Sequence, residues 1–228
     1  VIVENKVALV TGASEGIGRE IILKLVNRGV RCIAVSRHAE DKPFHSAQVQ
    51  ERNCDIGDRE QVRQLFEWIY EQYGVLDIII NNAGVWHKAA QLDEIEEEHI
   101  DTVLSTNLHG PIHCVKYGLP LLRAAEEAAI VNVVSSAGIH VKAGRSVYGA
   151  SKFGLRGFTE GLIEDLKETA IHVMGVYQSG TNTQLFAKAG DAMPLDTYIE
   201  PADLAEQIVA ALCLPPKIWI QHMQINRT

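Results

Sequence analysis

Basic residues are in the minority in this chain, 21 Lys and Arg against 29 Asp and Glu for a formal charge of −8, which argues against a surface built to hold nucleic acid. Cysteine is scarcer still. The four cysteines, Cys32, Cys54, Cys114 and Cys213, stand far apart with no Cys-x-x-Cys and no Cys/His ligand spacing. That excludes a disulfide framework and a zinc module, and reads as reduced core thiols in a cytoplasmic protein. No run reaches the roughly 20 consecutive apolar residues that a bilayer span needs, and the apolar start at Val1 is broken by Glu4, Asn5 and Lys6. Neither a membrane span nor an export signal is expected, although a chain opening on Val leaves room for residues upstream. There is no repeat, low-complexity tract or Pro-rich linker to divide the chain, so a single domain over residues 1–228 is expected.

What is present has the composition of a globular protein, 46% apolar and 22% charged. Short β-branched runs alternate with stretches whose apolar residues recur at helical spacing. The runs Val7–Val10, Cys32–Val35, Ile78–Ile80, Ile130–Val134, Val173–Val176 and Ile218–Ile220, with a weaker one near Val49–Cys54, are seven candidate strands. Between them, Ile17–Asn27 places Ile21, Ile22, Leu25 and Val26 on one face, and Val62–Tyr73 does the same with Val62, Leu65, Phe66 and Ile69. Asp58 and Gln61 are spaced to cap the second helix, Gln61 reaching back to the cap. A third helix is expected over Ser146–Glu168. The pattern predicts an α/β, doubly wound Rossmann fold: a parallel seven-stranded sheet with helices on both faces and a ligand crevice at the carboxyl ends of the strands.

Those ends carry the residues with chemistry. After the first strand comes Thr11-Gly12-Ala13-Ser14-Glu15-Gly16-Ile17-Gly18, whose glycines allow a close backbone approach and whose helix start offers free N–H groups, the makings of a diphosphate site. The second strand ends in Ser36-Arg37 where an NAD site would carry a carboxylate. A guanidinium there pairs with a 2′-phosphate, so NADP(H) is favoured and NAD(H) remains possible, Glu15, Glu40 and Asp41 being close in sequence. Asn81-Asn82-Ala83-Gly84 follows a third apolar run, where small residues leave room for a flat ligand or simply make a turn. Tyr148 and Lys152 are four apart and share one helix face, where an ammonium can lower the phenol's pKa towards neutrality. Ser135 lies thirteen residues before the tyrosine. His109 and His113 also share a face, but no third ligand completes a set and no metal is expected. Trp86 and His87 lie where a substrate could be touched, or form an exposed loop pair.

In combination these residues resemble the short-chain dehydrogenase/reductase family over nearly the whole chain. The resemblance puts the family's glycine motif on Thr11, Gly12, Gly16 and Gly18, with Ser14 and Ile17 in the same loop. It puts the adenine-contacting acid on Asp55, next to Ile56, and the strand-end motif on Asn81, Ala83 and Gly84. It implies a catalytic group of Asn107, Ser135, Tyr148 and Lys152. Tyr148 would protonate a carbonyl oxygen held by Ser135; Lys152 would lower the tyrosine's pKa and bind ribose; Asn107 would support a water. Thr181 and Thr183 would meet the nicotinamide. The expected substrate is a small carbonyl or alcohol compound, and a homodimer or homotetramer is the family default. One departure stands out: Gln178-Ser179 replaces the Pro-Gly with which the family opens the segment after the sixth strand. Residues 177–199 are expected to form a substrate lid. Two other readings are a catalytically silent dinucleotide-binding regulator, for which the Gln178-Ser179 change speaks, and an NAD-linked dehydrogenase.

Overall fold

A computed structural model describes residues 3–215 and 217–228. Seven strands form one parallel sheet: β1 (Val7–Thr11), β2 (Arg31–Ser36), β3 (Val49–Asn53), β4 (Ile78–Asn81), β5 (Ala128–Val133), β6 (Ile171–Gln178) and β7 (His222–Ile225). Their spatial order is β3-β2-β1-β4-β5-β6-β7. The order reverses beside β1, and the crevice of a doubly wound sheet opens at such a reversal, beyond the carboxyl ends of β1 and β4.

Alternation along β1 divides the core in two. Ala8 and Val10 face helices α1 (Gly16–Val26) and α7 (Pro201–Leu212), burying Ile21, Ile22 and Leu25 against Leu204, Ile208 and Val209. Val7 and Leu9 face the other layer, made of α2 (Arg59–Tyr73), α4 (Gly110–Arg123) and α5 (Ser146–Leu166). Strands buried on both faces are continuously apolar, which is why the sequence signals them as unbroken runs. Trp68 and Tyr73 pack edge to face on α2 with centroids 6.0 Å apart.

Two expectations are corrected. The last strand is His222–Ile225; Ile218–Ile220 precedes it as irregular chain. The ladder with β6 starts only at Gly175 opposite His222, while the Trp219 indole donates to Val173 O at 2.8 Å and seals the core from outside the strand. As expected, Asp58 caps α2, accepting from the N–H groups of Glu60 and Gln61, and Gln61 reaches back to it, its Nε2 donating to Asp58 Oδ2 at 3.0 Å while its side-chain oxygen accepts from Asp55 N at 2.9 Å. Cys213 is exposed at the end of α7, whereas burial pushes the Cys32 and Cys54 thiols up to about 12 and Cys114 further up.

Two devices fix α5, and hence Tyr148, against the sheet. A buried polar chain runs from Asn81 Nδ2 to Asn132 Oδ1 (2.9 Å), from Asn132 Nδ2 to Thr159 Oγ1 (2.9 Å) and on to Leu155 O (2.7 Å). The second is a wide helical turn, Ser105–His109, between α3 (Glu97–Leu104) and α4, in which Gly110 N–H reaches back to Ser105 O. Such π turns re-aim a side chain inside an otherwise regular helix, and here the turn buries Asn107.

Candidate active site

The crevice is a cleft of about 570 Å³ running from the end of β2 to Tyr148 and Lys152. Gly12, Ser14, Gly16, Ile17, Ser36, Arg37, Asp55, Ile56, Ala83, Gly84 and Thr183 all contribute to its wall. Its floor depends on missing Cβ atoms: one added at Gly12, where φ is +67°, would lie 2.7 Å from Ala83 Cα, and one at Gly18 would lie 2.4 Å from Gly12 O. No side chain caps the start of α1, so its first N–H groups stay available to a ligand. Among the described residues the buried Ser36 hydroxyl lacks a partner, and Arg37, His38, Asp41 and Lys42 line the cleft with it.

Some expected contact residues act from behind the wall. Thr11 Oγ1 accepts from the N–H groups of Asn82 and Ala83, both at 3.1 Å, and Gly18 packs on Gly12. Asn81 is turned away from the cleft into the Asn132 chain described above, because the alternation of β4 sends it to the opposite side from its neighbour. Asn82 takes the place expected of Asn81, donating to Thr11 O at 2.9 Å and Gly12 O at 3.2 Å and lining the cleft. Thr181 lines a second cavity, together with Ser135.

Tyr148 stands where the two cavities meet. Ser135, two residues past β5, has φ +98°, a conformation that costs a non-glycine residue on the order of 1–3 kcal/mol. Its hydroxyl accepts from Ala137 N at 3.2 Å and is hydrogen-bonded to the Tyr148 hydroxyl. Lys152 Nζ donates to Val133 O at 3.2 Å and lies 5.8 Å from the Tyr148 ring centre. Burial acts on both groups in opposite senses, pushing Tyr148 up to about 12 and Lys152 down to about 8. The expected lowering of the tyrosine by Lys152 is therefore corrected. Burial dominates, and the opposing pull comes from the Ser135 hydrogen bond and from the Arg145 guanidinium.

Asn107 is near the pair without facing the open cleft. Its Oδ1 accepts from Val85 N at 2.8 Å, and its Nδ2 donates to Val85 O at 2.9 Å and Ser151 Oγ at 3.2 Å. Ser151 in turn donates to Tyr148 O at 2.7 Å, so an unheralded serine joins the Asn107 turn to the helix of Tyr148. Trp86, which the sequence left between ligand contact and surface loop, packs edge to face on Tyr148 with centroids 4.5 Å apart. Glu15, which the sequence offered only as a charge leaving NAD(H) possible, holds Lys42 at 3.0 Å and Lys188 across the cleft mouth. Burial raises the pKa of Glu15, but the two lysines outweigh it and leave it below its ordinary value.

A model of the family described as short chain dehydrogenase matches residues 6–194. The chain belongs to the short-chain dehydrogenase/reductase family. It is an oxidoreductase by that membership, in keeping with its curated relatives. A 3beta-hydroxysteroid dehydrogenase of Mediterraneibacter gnavus is 31% identical over 98% of this chain and 80% of that protein. A 3-oxoacyl-(acyl-carrier-protein) reductase of Thermotoga maritima is 30% identical over 90% of this chain and 89% of its own. Among solved structures, a metagenomic short-chain oxidoreductase in complex with NADP superposes with a TM-score of 0.85 at 26% identity, covering 100% of both chains. No helix among the described residues is long and apolar enough to cross a membrane.

Proposed function

We propose that the protein is an NADP(H)-dependent reductase of a carbonyl compound, with Ser135, Tyr148, Lys152 and Asn107 as its catalytic group. The observation that carries this reading is the position of Tyr148, buried, hydrogen-bonded to Ser135 and shared by a long cleft on one side and a separate cavity on the other. The cleft fits a dinucleotide. Its glycine floor and uncapped helix start suit a diphosphate, Asp55 suits the adenine, and Ser36 with Arg37 suits a 2′-phosphorylated ribose. Bound there, the dinucleotide supplies the hydride that converts C=O to CH–OH.

The chain's own residues manage the proton. With its phenol pushed up by burial to about 12, Tyr148 is neutral at physiological pH and holds the proton that a carbonyl reduction needs. Tyr148 gives its proton to the carbonyl oxygen while Ser135 hydrogen-bonds the same atom. Lys152, pushed down to about 8, still carries its proton at neutral pH and can donate it to a ribose hydroxyl. Asn107 and Ser151 keep α5 in register with Val85 at the edge of the cleft. Residues 177–199, including the short helix α6 (Leu185–Lys188), act as the substrate lid, tied to the glycine loop by Glu15 and Lys188.

A second reading, NAD(H), is favoured by Asp41 and Glu15, both of which line the cleft. Dinucleotide selectivity tests between the two. Replacing Arg37 by Asp is expected to weaken NADPH binding about tenfold or more while changing NADH binding little, the cost of losing a charge-assisted phosphate contact. An equal effect on both dinucleotides would remove Arg37 from the phosphate site.

A further inference from the structure

The cavity beyond Tyr148 reverses the charge of the molecule around it. In a chain of net charge −8, the wall of this cavity, about 230 Å³, includes Arg145, Arg227, Lys142 and His140 and no carboxylate. The nearby Asp191 is held by the Trp86 indole N–H at 3.1 Å and lies outside that wall. Among the described residues neither arginine has an acidic partner. Each lies over an aromatic ring instead, Arg145 at 4.7 Å from the centre of Trp86 and Arg227 at 4.6 Å from the centre of Tyr198. Stacking of this kind fixes the plane of a guanidinium and leaves its N–H edge free for a planar anion. One of the Arg227 donors is taken by Thr197 Oγ1 at 3.3 Å.

Those rings form one wall. Trp86 meets Phe186 at 5.2 Å, Phe186 meets Tyr198 at 5.7 Å, and Trp86 also meets Tyr148 at 4.5 Å. A guanidinium therefore stands at each end of an aromatic surface that begins at the reactive phenol. Arg145 is near enough for its charge to pull on the Tyr148 proton. Gln178, only 9% exposed, lines both the cavity and the cleft, and its buried side-chain oxygen has no partner among the described residues.

We propose that the substrate is an oxo acid, with its apolar body against Trp86, Phe186 and Tyr198 and its carboxylate paired to one of the two guanidiniums, Arg145 or Arg227, according to its distance from the carbonyl. This rests on the reductase reading above. In the step, a hydride from the reduced dinucleotide bonds to the carbonyl carbon and the C=O π pair takes the proton of Tyr148. A hydroxy acid leaves, the dinucleotide is oxidised, and solvent returns the proton to Tyr148. A neutral ketone would fill the aromatic wall and leave two guanidiniums without a counter-charge.

The test compares acid and ester forms of one carbonyl compound on the full chain, benzoylformate and 3-benzoylpropionate against their methyl esters, with NADPH and with NADH. For at least one pair, kcat/KM for the acid is expected to exceed that for the ester by about tenfold or more, the scale of a charge-assisted pair, and the excess is expected to shrink with added salt. For the acid that shows the excess, either Arg145→Met or Arg227→Met should bring the acid-to-ester ratio towards one. Equal turnover of acid and ester, or an ester preferred, would overturn the proposal, as would a ratio unchanged in both variants. If no compound oxidises either dinucleotide, the reductase reading fails. Quenching of tryptophan fluorescence by benzoylformate, present in the native chain and lost in Arg145→Met, would then still uphold the anion site; no quenching would end that as well.

Discussion

Replacing Lys152 by Met should produce a chain that gains stability relative to the native one as pH falls, because the native ammonium is held in a place that disfavours its charge. Lys152 is 5% exposed, and burial brings it from 10.5 to about 8. The sign follows from proton counting. Between about pH 8 and 10.5 the unfolded chain holds the proton that the folded chain has released, so the native protein gains stability as pH rises across that window, and below it the burial cost is present in full. A shift of this size corresponds to about 3 kcal/mol at 1.36 kcal/mol per unit. Met keeps the length and apolar volume and cannot titrate. The hydrogen bond to Val133 O at 3.2 Å is lost and offsets part of the gain, so the quantity to read is the change of the difference with pH. Urea unfolding of both chains at pH 6.5 and pH 10 measures it. The difference should move by roughly 2–3 kcal/mol in favour of Met at the lower pH, or on the order of 5–10 °C in Tm for a chain of this size. A difference that is the same at both pH values, or that moves the other way, would refute the claim that burial sets the state of this lysine.

Gly18→Ala should abolish dinucleotide binding and lower Tm, since its Cβ would meet Gly12 O at 2.4 Å and neither backbone can yield. Gly161→Ala on the exposed side of α5, with nothing within 4 Å, should instead stabilise by about 0.5–1 kcal/mol; thermal melts with and without dinucleotide check both. Glu15→Gln releases Lys42 and Lys188 at the cleft mouth, and should lower the KM for NADPH by up to about fivefold, the upper range for an exposed ion pair, with less effect on NADH. Weaker NADPH binding in this variant would contradict the placement of the 2′-phosphate beside Lys42.

The parts of the site that could be read from the sequence are those in which one local rule acts. The glycine loop follows a buried strand and opens a helix, and Tyr148 and Lys152 share a helix face, so spacing alone brought each set together. The strand-end contact was placed on Asn81, whereas Asn82 lines the cleft, because which of the two faces it depends on the register of β4 against β5. β7 was misplaced because Trp219 and Ile220 are apolar for a tertiary reason, closing the core ahead of an edge strand whose own residues alternate in exposure. The partners of Glu15 and of Tyr148 were hidden by distance along the chain: Lys188 lies 173 residues from Glu15, and Trp86 reaches Tyr148 from another strand end. Arg145 and Arg227 carried no motif, and their significance comes only from the rings beneath them.

The central claim is that Tyr148 delivers the proton in a dinucleotide-dependent carbonyl reduction. The most direct measurement is consumption of NADPH by the native chain and by Tyr148→Phe, with benzoylformate, 3-benzoylpropionate and a neutral aryl ketone as substrates, and with NADPH binding measured in parallel. The account predicts turnover by the native chain and a fall of about 10²–10⁴-fold in the variant with NADPH binding retained, the range for removing a positioned proton donor. A Tyr148→Phe chain that reduces the same substrates at the native rate would contradict it.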